Sequence, residues 1–79
     1  MATKTAPTLE TVERLVEEVE EWYNRVQKIR QKMARVKRGS EAYQDLLADL
    51  WVELDWLKMK AEVAADAIDA YQESLPEDE

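Results

Sequence analysis

Seventy-nine residues amount to 9.2 kDa, room for one small domain. With 1 glycine, 2 prolines and no cysteine, histidine or phenylalanine, a disulfide scaffold, a Cys/His zinc site and a His-based triad are excluded. A β-rich fold, whose turns draw on Gly, Asn and Pro, is disfavoured. Eleven basic against 18 acidic residues leave a net charge of −7, so the surface as a whole should repel nucleic acid and anionic membrane.

Residues 1–7 read as a flexible N-terminal segment without the apolar stretch of a signal peptide. No apolar run exceeds three residues, as in Leu50-Trp51-Val52 and Val63-Ala64-Ala65, so no membrane span is expected. A cytoplasmic protein is the expectation, and the lack of cysteine is compatible with a reducing compartment.

A first helix is expected over about 8–38, started near Thr8 and Pro7. With Val12 at heptad position a, Val12, Val19, Val26 and Met33 occupy a, and Leu15, Trp22, Ile29 and Val36 occupy d. All eight seam positions are apolar, the signature of coiled-coil packing. Leu9, Val16 and Tyr23 at e widen the stripe. A turn follows at 39–40, with Gly39 as the left-handed residue after the helix and Ser40 as N-cap of the next.

The second helix is expected over about 41–74, within a hairpin spanning 8–75, and 76–79 reads as an acidic disordered tail. With Leu47 at a, Leu47, Leu54, Ala61, Ile68 and Leu75 fall at a, and Tyr43, Leu50, Leu57, Ala64 and Tyr71 at d, again without a polar residue. The fold class is therefore all-α, an antiparallel coiled-coil helical hairpin. Folding about Gly39 sets residue i beside 79 − i, so that Val36 meets Tyr43, Ile29 meets Leu50, Leu15 meets Ala64, Val12 meets Ile68, and Trp22 lies against Leu57 and the small Ala61.

Two helices of this length bury too little to be stable alone, and neither disulfides nor a metal are there to help. The second helix carries a further apolar row. Val52, Trp56, Met59 and Val63 fall at c and f, extended by Trp51 at e and Leu46 at g. Left in water, such a ridge exceeds what soluble monomers usually expose. The six residues are therefore the expected interface, with a second copy as the favoured partner, giving a homodimeric four-helix bundle, and a heteromeric partner helix as the variant. A twofold axis near residues 57–58 would bring Val52 toward the partner's Met59 or Val63.

Charge is unevenly spread. Residues 10–21 hold six glutamates and only Arg14 in opposition, whereas Trp22 to Ser40 contains no acid. An antiparallel dimer would bring the basic loop end of one hairpin toward the acidic open end of the other. The basic stretch Arg25, Lys28, Arg30, Lys32, Arg35, Lys37 and Arg38 is also the candidate nucleic-acid contact. In architecture the expected molecule is similar to the ROP-type plasmid RNA regulators, small hairpins that dimerise into four-helix bundles and bind RNA on one face. Net charge disfavours that reading.

A third reading starts from carboxylates. Glu17-Glu18-Val19-Glu20-Glu21 resembles the E-x-x-E helix of the all-α nucleotide pyrophosphohydrolases. The resemblance implies magnesium held by clustered carboxylates and cleavage of nucleoside triphosphates, with Asp66 and Asp69, and Glu62 one turn earlier, as the later acidic pair. Glu17 at f and Glu20 at b, however, face away from the seam, where metal-binding carboxylates should converge. No catalytic motif of higher specificity occurs. The expectation is a non-catalytic interaction module, such as a small regulator, adaptor or assembly factor, with no cofactor and no metal.

Overall fold

The computed structural model describes residues 6–75. Two helices account for most of them, α1 over Leu9–Met33 and α2 over Glu41–Ser74, of 25 and 34 residues, packed against each other as a hairpin. Of the segment expected to be flexible over 1–7, only Ala6 and Pro7 are described, and the tail expected over 76–79 lies outside the described residues.

Local chemistry sets the helix ends. The Thr8 hydroxyl accepts the Thr11 N–H at 3.1 Å, satisfying one of the orphan donors of the first turn. Ser40 does the same for α2, accepting from the Tyr43 N–H at 3.2 Å while its own hydroxyl donates to the Lys37 carbonyl at 2.7 Å. At the far end Leu75 turns extended, with ψ 144°, as a residue preceding a proline must.

α1 ends five residues earlier than expected. After the Ala34 cap the chain tightens, with Arg35 N–H bonding to the Lys32 carbonyl and Val36 N–H to that of Met33. Residues 22–40 contain no acid, so no i,i+4 ion pair supports the last turns, and Arg30 and Lys32 complement the negative end of the helix where it stops. The connection is thus 34–40 rather than 39–40. Gly39 does adopt the left-handed conformation, at φ 79°. It serves the turn closed by Ser40 N–H to the Lys37 carbonyl, not the end of α1.

Three cross-helix pairs fix the register: Arg25 with Glu53, Glu18 with Lys60, and Trp22 with Trp56. In each the residue numbers total 78, one less than expected. A constant total along the pair means antiparallel helices.

The seam on α1 is the expected one. Val12 and Val26 are buried, and Leu15, Val19, Trp22, Ile29 and Met33 are half-buried. On α2 it is rotated. The stripe turned toward α1 runs Tyr43, Leu46, Leu50, Glu53, Leu57, Lys60, Ala64, Ala67 and Tyr71, alternating spacings of 3 and 4. These are positions d and g. The a residues expected in the seam, Leu47, Leu54, Ala61, Ile68 and Leu75, are exposed. Trp22 accordingly meets Trp56 and Lys60, not Ala61. This face brings the small Ala64 into the seam as its buried residue and sets Lys60 and Glu53 opposite Glu18 and Arg25, which flank the α1 stripe; ion pairs this exposed add little by themselves.

Candidate interaction surface

At the middle of the hairpin, Glu18, Trp22 and Arg25 lie one helical turn apart on α1, and Glu53, Trp56 and Lys60 oppose them on α2. Lys60 donates a charge-assisted hydrogen bond to Glu18 at 2.9 Å. Arg25 approaches Glu53 at 3.5 Å, an ion pair too long for a hydrogen bond. Both cations also sit over the Trp22 ring, Arg25 at 4.5 Å and Lys60 at 5.3 Å from its centroid. The Trp56 ring meets Trp22 tilted, with centroids 6.1 Å apart. The Trp22 indole N–H is buried without an acceptor. The sequence sets Glu53 beside the basic end of the first helix, as the Arg25 contact has it, but gives no place in the seam to Glu53 or Lys60, because a charged residue in a heptad looks like surface. The signal that marks them is their i, i+7 spacing opposite Arg25 and Glu18.

These contacts place the apolar surface that remains. They join the g side of α1 to the g/c side of α2, so that Trp56, with Val52, Met59 and Val63 beside it, lies on one broad face of the hairpin. The opposite face then carries the e positions of α1 and the a/e positions of α2. Of the six residues expected at an interface, Leu46 is half-buried on the stripe toward α1. Val52, Trp56, Met59 and Val63 are exposed on the Trp56 face, and Trp51, at 69% the most exposed large hydrophobic residue, lies on the other. The back of α2 is acidic, with Asp55, Glu62 and Asp69 in a row.

The expected basic stretch is brought together at the loop end. Lys28, Arg30, Lys32, Arg35, Lys37 and Arg38 are all exposed, and Arg25 alone of the stretch forms an ion pair among the described residues. Arg30, Met33, Ala34, Arg38 and Tyr43 line a shallow hollow there of about 240 Å³. The carboxylates of the third reading do not converge. Glu17 and Glu20 are exposed, Glu18 is tied to Lys60, and among the described residues no group of three or more acids comes together to hold a metal ion. No helix among them is long and apolar enough to cross a membrane.

Compared with protein-family models, curated proteins and solved structures, the chain matches none.

Proposed function

We propose that the chain is a non-catalytic helical interaction module, a small regulator, adaptor or assembly factor that works by joining its exposed apolar surface to another helical chain. One observation carries this reading: the hairpin has almost no interior of its own. Among the described residues only Val12, Val26 and Ala64 are buried, and no side chain is completely so, whereas twelve large hydrophobic residues are exposed. The accessible surface is 6776 Å², against about 4,900 Å² for a compact monomer of this mass. Patches of this kind mark association surfaces. Self-association is the simplest form, since it needs no second gene product and favours a closed, twofold arrangement. Sedimentation equilibrium should give about twice 9.2 kDa, with thermal unfolding that shifts with protein concentration. A cooperatively folded monomer at micromolar concentration, with no transition moved by concentration, refutes self-association.

A second reading is favoured by the loop end, where six basic residues stand without acidic partners among those described. Such a cluster suits a phosphate backbone. RNA or DNA binding that falls steeply with salt, and falls again in Arg30→Ala combined with Lys37→Ala, would support it. Salt-insensitive binding, or none, would remove it.

A further inference from the structure

We infer that the face of the hairpin opposite Trp56 is where a second copy of this chain docks, lying antiparallel with its loop at the other end, to complete a four-helix bundle. The inference rests on the self-association read above and names its face and orientation.

The first argument is the heptad itself. α1 is apolar at a and d and, as far as Tyr23, at e, where Arg30 follows; α2 is apolar at a, d and g apart from Glu53, Lys60 and Ser74. Each is the three-position stripe of a bundle helix that packs on two neighbours rather than one. The hairpin satisfies only part of it. The e residues Leu9, Val16 and Tyr23 on α1 and the a residues Leu47, Leu54 and Ile68 on α2 remain exposed. By the cross-helix contacts described above, both sets lie on the same face, with Trp51 at the outer edge of the α2 set. A second hairpin laid there would convert every one of them into core.

Area decides between the two faces. The exposed parts of those seven residues come to roughly 700 Å² per copy, so two copies would bury about 1,400 Å², within the range of stable interfaces. Val52, Trp56, Met59 and Val63 offer roughly 400 Å², or about 800 Å² for two copies, the size of a crystal contact.

Charge decides the orientation. A parallel stacking of hairpins would set six unpaired cations beside six more at the loop end, and the acids of residues 10–21 beside their own copies at the open end. The antiparallel stacking sets each loop end on an open end, with Glu10 and Glu13 near the height of the partner's Arg30. Each exposed pair contributes little, but unlike orientations are separated by their sum. Side-chain volume agrees. With the axis between residues 57 and 58, Leu54 faces the partner's Ala61, and Leu47 the partner's Ile68, large against small at the centre.

The test compares four proteins by sedimentation equilibrium and circular dichroism: wild type, Leu54→Glu, Met59→Glu and Lys58→Cys. The chain has no cysteine, so the introduced thiol is the only one, and Lys58 lies on the proposed face beside the axis. A dimer whose dissociation constant rises at least a hundredfold in Leu54→Glu, changes less than threefold in Met59→Glu, and forms a disulfide dimer on oxidation of Lys58→Cys supports the inference. A dimer broken by Met59→Glu and not by Leu54→Glu overturns the face while leaving self-association standing. A dimer that never cross-links through Lys58→Cys overturns the antiparallel orientation, and this arm stays decisive even where Leu54→Glu loses its helicity. A monomeric wild type overturns the functional reading and this inference with it.

Discussion

Lys60 stands in the middle of an apolar stripe, between Leu57 and Ala64, and replacing it separates its charge from its carbon chain. Its ammonium lies 2.9 Å from Glu18 and 5.3 Å from the centre of the Trp22 ring. Both side chains of the ion pair are about one-third exposed, at 30% and 34%. Screening and side-chain entropy then reduce a large Coulomb attraction to about 0.5–1 kcal/mol. The cation–π contact adds about 0.5–1 kcal/mol. Lys60→Met removes both but keeps a chain of similar length against α1, returning on the order of 1 kcal/mol of apolar burial. Glu18, about one-third exposed, can exchange its lost partner for water. The net loss should be below about 1 kcal/mol. Lys60→Ala loses the charge and most of the stem as well, several partly buried methylenes at up to about 0.8 kcal/mol each, for a loss of about 3–4 kcal/mol. Urea unfolding at one fixed protein concentration measures both. If Met is as damaging as Ala, the ion pair and not the aliphatic stem holds the seam here, and the low worth assigned to this salt bridge is wrong.

Gly39→Ala meets no atom within 4 Å but must hold φ near 79°, so it should destabilise by about 1–2 kcal/mol through conformation alone. Denaturation of Gly39→Asn, a residue that tolerates this region, should show a smaller loss. Ser40→Ala removes the hydroxyl that accepts from Tyr43 and donates to Lys37, and should lower stability by about 1 kcal/mol in the same assay. Ala64→Leu places a larger side chain at a position only 5% exposed, against α1, and should lower stability by about 1–3 kcal/mol. Ala65→Leu, one residue on and exposed, should leave the hairpin within about 0.5 kcal/mol of wild type.

Elongation ties these local effects to the need for a partner. The Cα radius of gyration is 18.1 Å and the long axis 59 Å, whereas a compact chain of this length has a radius of roughly 12 Å. A shape that thin has no position far from water, so half-buried residues such as Trp22, Leu57 and Lys60 carry the contact between the helices. Stability then rests on a few central contacts and on whatever covers the exposed faces.

Much of the hairpin was legible from residue order. Helix identity, the a/d stripe of α1, the cap at Ser40 and the left-handed Gly39 all follow from local chemistry. Each depends on groups within one or two turns, and the chain states those directly. The end of α1 was less legible, because Val36 fits the heptad while the acid-free basic stretch undermines the last turns. The face of α2 was not legible at all. Apolar residues surround that helix at a, c, d, e and f, so periodicity offers several seams and prefers the one without charge. Tertiary structure chose the d/g face instead, burying Ala64 and half-burying Leu57 and Lys60 against α1. Rival seams on one helix differ only in their contacts with residues far apart in sequence, which periodicity cannot rank, and the face chosen leaves the a residues of α2 pointing outward.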